Sequence, residues 1–151
     1  MKNLFDAAVA NEVKARLRQL EPQSERLWGK MTAAQMLAHC SVSMQWAVGE
    51  VVPEELALPA RLMGLVVKPK VFRNDDPLRK NTPTARGLIV ADERDLGKER
   101  DRLSGLIDRF AAGGVAGCTR NPHSFFGRMT PEEWAILMYK HLDHHLRQFG
   151  V

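Results

Sequence analysis

The last amphipathic segment of the chain carries Trp134, Leu137, Met138, His141 and His145 along one stripe, so its inward face turns from apolar side chains to imidazoles halfway along. With His141 set at zero and ~100° per residue, Trp134 falls at about 20°, Leu137 at about −40°, Met138 at about 60° and His145 at about 40°. His144 lies at the edge of this stripe, at about −60°. Two imidazoles at i and i+4 project side by side from a helix and can grip one divalent cation. The other reading is a histidine pair at the polar end of a bundle, its nitrogens satisfied by backbone or water, because buried polar rings need partners.

Four amphipathic segments must position these rings. The first runs from Phe5 to Leu20, where Phe5, Val9, Val13, Leu17 and Leu20 recur at helical spacing and Glu21-Pro22 ends the run. The second opens at Thr32-Ala33-Ala34-Gln35, a capping-box pattern, and stops near Gly49. Its apolar set is Ala33, Met36, Leu37, Cys40, Met44 and Ala47, with His39 on one flank beside Ser43 and Trp46. The third runs from Asp92 to Ala112, with Leu96, Leu103, Leu106, Ile107 and Phe110 inward and Gly113-Gly114 closing it. The last starts at Thr130-Pro131-Glu132-Glu133, which combines an N-cap, a proline at the first helical position and acidic residues in the first turn. The fold class expected is all-α, a four-helix bundle.

Between the second and third segments lie about forty residues, Glu50 to Ala91, far more than a tight helix connection needs. They include Pro53, Pro59, Pro69, Pro77 and Pro83, and a short helix from Glu54 to Leu65 with extended pieces around it is expected. Such a crossover lets the third helix run parallel to the second, giving an up-down-down-up topology in which the second and last helices are antiparallel. His39 then lies ~10 Å from the start of its helix, and His145 and His141 lie ~6 and ~12 Å from the end of theirs. All three rings meet at one level. In a simple up-down-up-down bundle they would be at opposite ends.

The 151 residues suit one domain, 1–151, with a core that needs no disulfide staple. Hydrophobic residues make up 44% and charged residues 26%, which argues against disorder. No apolar run reaches the ~20 residues of a membrane span, and Met1-Lys2-Asn3-Leu4-Phe5-Asp6 lacks the core of a signal peptide, so a cytoplasmic protein with no membrane partner is expected. Cys40 and Cys118 show no zinc-ribbon or CxxC spacing, and Cys40 reads as a small core residue. The net charge of +4 is concentrated in residues 61–86, where seven basic residues stand against Asp75 and Asp76. That segment reads as a solvated loop, or as a receiver for a carboxylate-bearing substrate or thiol cofactor. No nucleic-acid partner is expected, since the cations are not interleaved with aromatics beyond Phe72.

Two stretches, Trp28-Gly29-Lys30-Met31-Thr32 leading to Gln35-Met36-Leu37-Ala38-His39, and Lys140-His141-Leu142-Asp143-His144-His145-Leu146-Arg147-Gln148, resemble the DinB-like superfamily. That superfamily includes YfiT-type metal-dependent hydrolases and bacillithiol transferases, and the chain looks most like an uncharacterised branch of it, a domain of unknown function. The resemblance covers most of the chain. His123-Ser124-Phe125-Phe126-Gly127-Arg128-Met129-Thr130 is similar to that branch's approach to the last helix, with Ser124 where a proline is expected. The resemblance implies a four-helix bundle with a metal site built from His39, His141 and His145, and a cofactor that is a divalent metal, zinc or nickel, with a low-molecular-weight thiol as co-substrate in several members. Likeness of fold does not carry function, so the site is argued on its own residues.

Three neutral imidazoles leave a fourth position for water, thiolate or substrate, as in catalytic rather than structural zinc sites. Asp143 points away from the pair, at about 200°, and is expected to face solvent and pair with Arg147. No general base is then visible, which favours a thiol-dependent transferase over a hydrolase acting on a small-molecule substrate. Gln148 returns to the His141 face, where it could support a ligand ring or simply pack at the helix end. His144 could do the same or cap the surface, Ser43 and Trp46 flank His39 at a pocket mouth, and Trp28 and Trp134 read as core anchors. His123, in the loop before Thr130, is placed outside the metal group. The competing function is a metal-free ligand-binding or dimerisation module of the same fold, exposed Met and Leu positions being able to extend the core into a homodimer.

Overall fold

Five α-helices and no strand make up the computed structural model, which describes residues 1–151: α1 (Ala7–Leu17), α2 (Ala33–Ala47), α3 (Leu58–Val71), α4 (Leu96–Gly117) and α5 (Pro131–Gln148), with a 3-10 turn at Arg86–Leu88. Side-chain oxygens close four of the helix starts. Asp6 accepts from the Ala8 amide and Asp95 from that of Lys98, while Thr32 with Gln35 and Thr130 with Glu133 form reciprocal capping boxes at α2 and α5. The apolar stripes read from the sequence are the ones buried. Val13, Leu17, Leu37, Met44, Leu103, Ile107, Trp134 and Leu142 are all at most 1% exposed and belong to one cluster.

Hydrogen bonds between distant segments fix which helix ends lie together. The amide of Leu4, before α1, donates to Ala135 O near the start of α5 (3.1 Å), and Arg16 near the end of α1 donates to Asp143 (2.8 Å) and to Val151 O (2.8 Å). Gln35 in the first turn of α2 donates to Ala91 O and Asp92 O just before α4, whereas Thr119 after α4 donates to Ala47 O at the end of α2 (2.8 Å). Leu27, ahead of α2, donates to Gln148 O at the end of α5 (2.7 Å).

Two elements differ from the sequence expectation. Helical geometry breaks at Gly114 (φ 51°, ψ −146°), as the Gly113-Gly114 pair predicts, but a further short helical stretch follows and runs to Gly117. The short helix of the crossover is α3, displaced from 54–65 to Leu58–Val71. Pro69 sits in its last turn and has no amide to give Leu65 O, and Lys140 Nζ donates to Val71 O at the helix end and to Asn74 O and Asp76 O just beyond. No helix is long and apolar enough to cross a membrane.

Candidate metal centre

His39 projects from the second turn of α2, and His141 and His145 project from successive turns of α5. Their ring centroids lie 4.9 Å (His39–His141), 4.7 Å (His39–His145) and 4.8 Å (His141–His145) apart. One ligating nitrogen from each falls within 4.8 Å of the others, a grouping that could hold a metal ion.

The partners of these rings decide which nitrogens carry protons. His39 Nδ1 lies 2.7 Å from Leu88 O, a carbonyl that can only accept, so Nδ1 is the protonated nitrogen. Ser43 Oγ gives its hydrogen to Cys40 O (2.8 Å) and must therefore accept from His141 Nδ1 at 2.9 Å. Gln148 donates its amide to Trp28 O (2.6 Å), which turns its Oε1 toward His145 Nδ1 at 2.8 Å. All three rings donate from Nδ1, leaving three bare Nε2 lone pairs directed inward. His39 Nε2 and His141 Nε2 stand 2.9 Å apart, and with both rings protonated at Nδ1 no hydrogen is left to lie between them. Two facing acceptors repel, and a cation bound at ~2.0–2.1 Å from each is what such a donor set fits.

The local field opposes protons at the same place. Burial, with His145 and His39 as like-charged neighbours, holds His141 well below the usual imidazole range. Burial also lowers His39, against the Leu88 carbonyl, and brings His145 down to about 3. The rings are neutral at pH 7, the form in which imidazole binds metal.

A cavity of about 300 Å³ opens beside the three rings. Trp46, Val67, Val71, Phe125, Phe126 and Met138 give it an apolar wall, Ser43 and His144 also line it, and no Asp or Glu does. His144 donates Nδ1–H to Leu78 O (3.2 Å) and sets its ring edge against His145, centroids 5.0 Å apart. The basic segment is only partly a solvated loop: Arg79 reaches the cavity lining, and Lys80 stands over the Trp28 ring at 4.2 Å.

Several residues are placed otherwise than the sequence suggests. Asp143 does not face solvent but is buried, bridging Arg16 (2.8 Å) and Arg147 (2.7 Å), because α1 covers that side of α5. Trp28 is no core anchor but a partly buried ring between Lys80 and His144, whereas Trp134 is fully buried. His123 stays outside the three-ring group yet lines the same cavity. Leu88, which orients His39 through its carbonyl, carries no signal in the sequence, since any residue there supplies the same oxygen.

No curated protein and no solved structure matches the chain. Residues 3–150 do match the family described as "Protein of unknown function (DUF1569)". With nearly its whole length covered, the chain belongs to that family.

Proposed function

We propose that this protein is a metal-dependent enzyme that holds one divalent cation, zinc or nickel, on Nε2 of His39, His141 and His145 and acts on a small molecule in the adjoining cavity. The observation that carries this reading is the set of three Nδ1–H donors, each with its own acceptor, which leaves three bare nitrogens converging. The helix-end pairings support an up-down-down-up four-helix bundle of α1, α2, α4 and α5 in a single domain, with α3 in the crossover. They also support the resemblance to the DinB-like superfamily.

When bound, such a cation supplies a Lewis acid that lowers the pKa of a water or thiol beside it. The chain's own residues do the rest. Leu88 O, Ser43 and Gln148 hold the rings in one tautomer, the apolar wall excludes bulk water, and His144 keeps Nε2 as an acceptor beside His145. With no carboxylate on the cavity wall to activate water, a thiol-dependent transfer is the favoured reaction and hydrolysis the second.

The test is metal content and metal-dependent stability of untagged protein after chelation and reconstitution with zinc or nickel. About one equivalent is expected, with stabilisation of about 2.7 kcal/mol at free metal a hundredfold above Kd, lost in His141→Ala. Less than about a tenth of an equivalent, or equal stabilisation of His141→Ala, overturns the reading in favour of a metal-free binding module.

A further inference from the structure

His123 is the one imidazole on the cavity wall whose proton sits on the other nitrogen. Its Nδ1 lies 3.1 Å from the Phe125 amide and 3.2 Å from the Phe126 amide, both of which can only donate. Nδ1 is therefore the acceptor, and in the neutral ring the hydrogen must be on Nε2. The ring is neutral, since burial among Trp46, Phe126 and Trp134 brings its pKa down to about 4. Nε2 makes no hydrogen bond within the protein. Nor is it sealed: the fully buried side-chain N and O atoms without a partner are Arg100 Nε and Trp134 Nε1. An open N–H on a ring that lines an apolar cavity has its acceptor still to come.

We propose that His123 is a substrate-binding residue whose Nε2–H hydrogen-bonds an acceptor oxygen, of the carbonyl or carboxylate kind, on an otherwise apolar small molecule seated beside the three-histidine group. This rests on the enzymatic reading of the same cavity and adds the class of molecule it takes. The lining supports that class. Its side chains are mostly hydrocarbon and aromatic, and a cavity of about 300 Å³ is at the small end of ligand sites. A donor fixed by two backbone amides is preorganised, so little is lost in ordering it when the ligand binds.

Acetophenone and ethylbenzene, which differ by a carbonyl in place of a methylene, serve as the probe pair. Binding is measured by calorimetry on chelated and zinc-loaded protein, with the His123 Nε2 resonance followed by nitrogen NMR. Chelated wild type is expected to prefer acetophenone by about five- to tenfold, the effect of one neutral hydrogen bond, and to show Nε2 protonated at pH 7. His123→Phe should lose the preference for acetophenone or reverse it, because a carbonyl buried without a donor is penalised. His123→Asn guards against misfolding, because its Oδ1 can still accept the two loop amides while no donor reaches as far as Nε2; it too should lose the preference. No binding of either compound, equal binding by wild type, or a preference that survives both substitutions overturns the proposal. A preference seen only with zinc and abolished by His141→Ala also overturns it while leaving the metal reading intact. A preference in chelated protein that takes up no zinc upholds His123 and removes the metal.

Discussion

Gln148 joins two parts of the molecule through one amide, donating to Trp28 O and accepting from His145 Nδ1. Gly29 makes room for it: at φ 79° a side chain would be strained, and a Cβ there would stand 2.5 Å from Gln148 Nε2. Gln148→Leu removes the acceptor, frees the His145 ring and should weaken zinc binding about 10–100-fold, while Gln148→Glu, which keeps an acceptor, should retain most of it. A competition titration with a zinc chelator reads both, and unchanged affinity in the Leu variant would show that the ring needs no such support. At this scale the sequence was most informative where helical periodicity applies. His39, Ser43, His141, His145 and Gln148 could be placed because rotation per residue is fixed within a helix. His123 and Leu88 could not, because a loop and a 3-10 turn offer no such arithmetic. Asp143 misled for a related reason: angle around α5 says which residues share a face, not which second helix covers the opposite one.

Among the helices, α3 is the least embedded. Gly64 is its only buried residue, and Leu58, Leu62, Leu65 and Val66 are exposed. Val67 and Val71 pack it against the core, and polar contacts add to that hold. Lys68 bridges Glu133 at 2.8 Å and donates to Arg128 O, Lys140 gathers the carbonyls past its end, and Gly64 backs directly onto Phe125 O. A Cβ at position 64 would fall 1.8 Å from that carbonyl oxygen, so backbone must shift. Gly64→Ala should therefore lift α3 from the 123–127 loop and cost about 1–3 kcal/mol, read as a lower denaturant midpoint and faster proteolytic cleavage near α3. An unchanged midpoint would mean that the contact is not structurally required. Prolines marked this region in the sequence as interrupted, and the helix expected over 54–65 ends at Val71 instead. The tethers that let the helix persist come from residues far along the chain.

For the molecule as a whole, the histidines set a pH dependence whose sign follows from their surroundings. All five, His39, His123, His141, His144 and His145, are held below the ordinary imidazole value chiefly by burial. The unfolded chain takes up protons as pH falls through about 6.5, and the folded chain does not until far lower, about 4 at His123 and about 3 at His145. Since the unfolded state binds more protons in that window, metal-free protein should lose stability on acidification, each histidine contributing up to about 1.4 kcal/mol per pH unit. Urea midpoints measured in chelator between pH 7 and 5 check this, and a flat profile would show that the rings are solvated. The all-helical character of the molecule was legible in its sequence, because capped segments with helical apolar spacing recur along it.

The three oxygens that choose the ring tautomers belong to α2, the 3-10 turn after α3, and the end of α5. No single element supplies all of them. A coordination-competent pocket is thus an assembly product of α2, the crossover and α5, completed only when the crossover has docked its last carbonyl, and metal uptake becomes a reporter of finished folding.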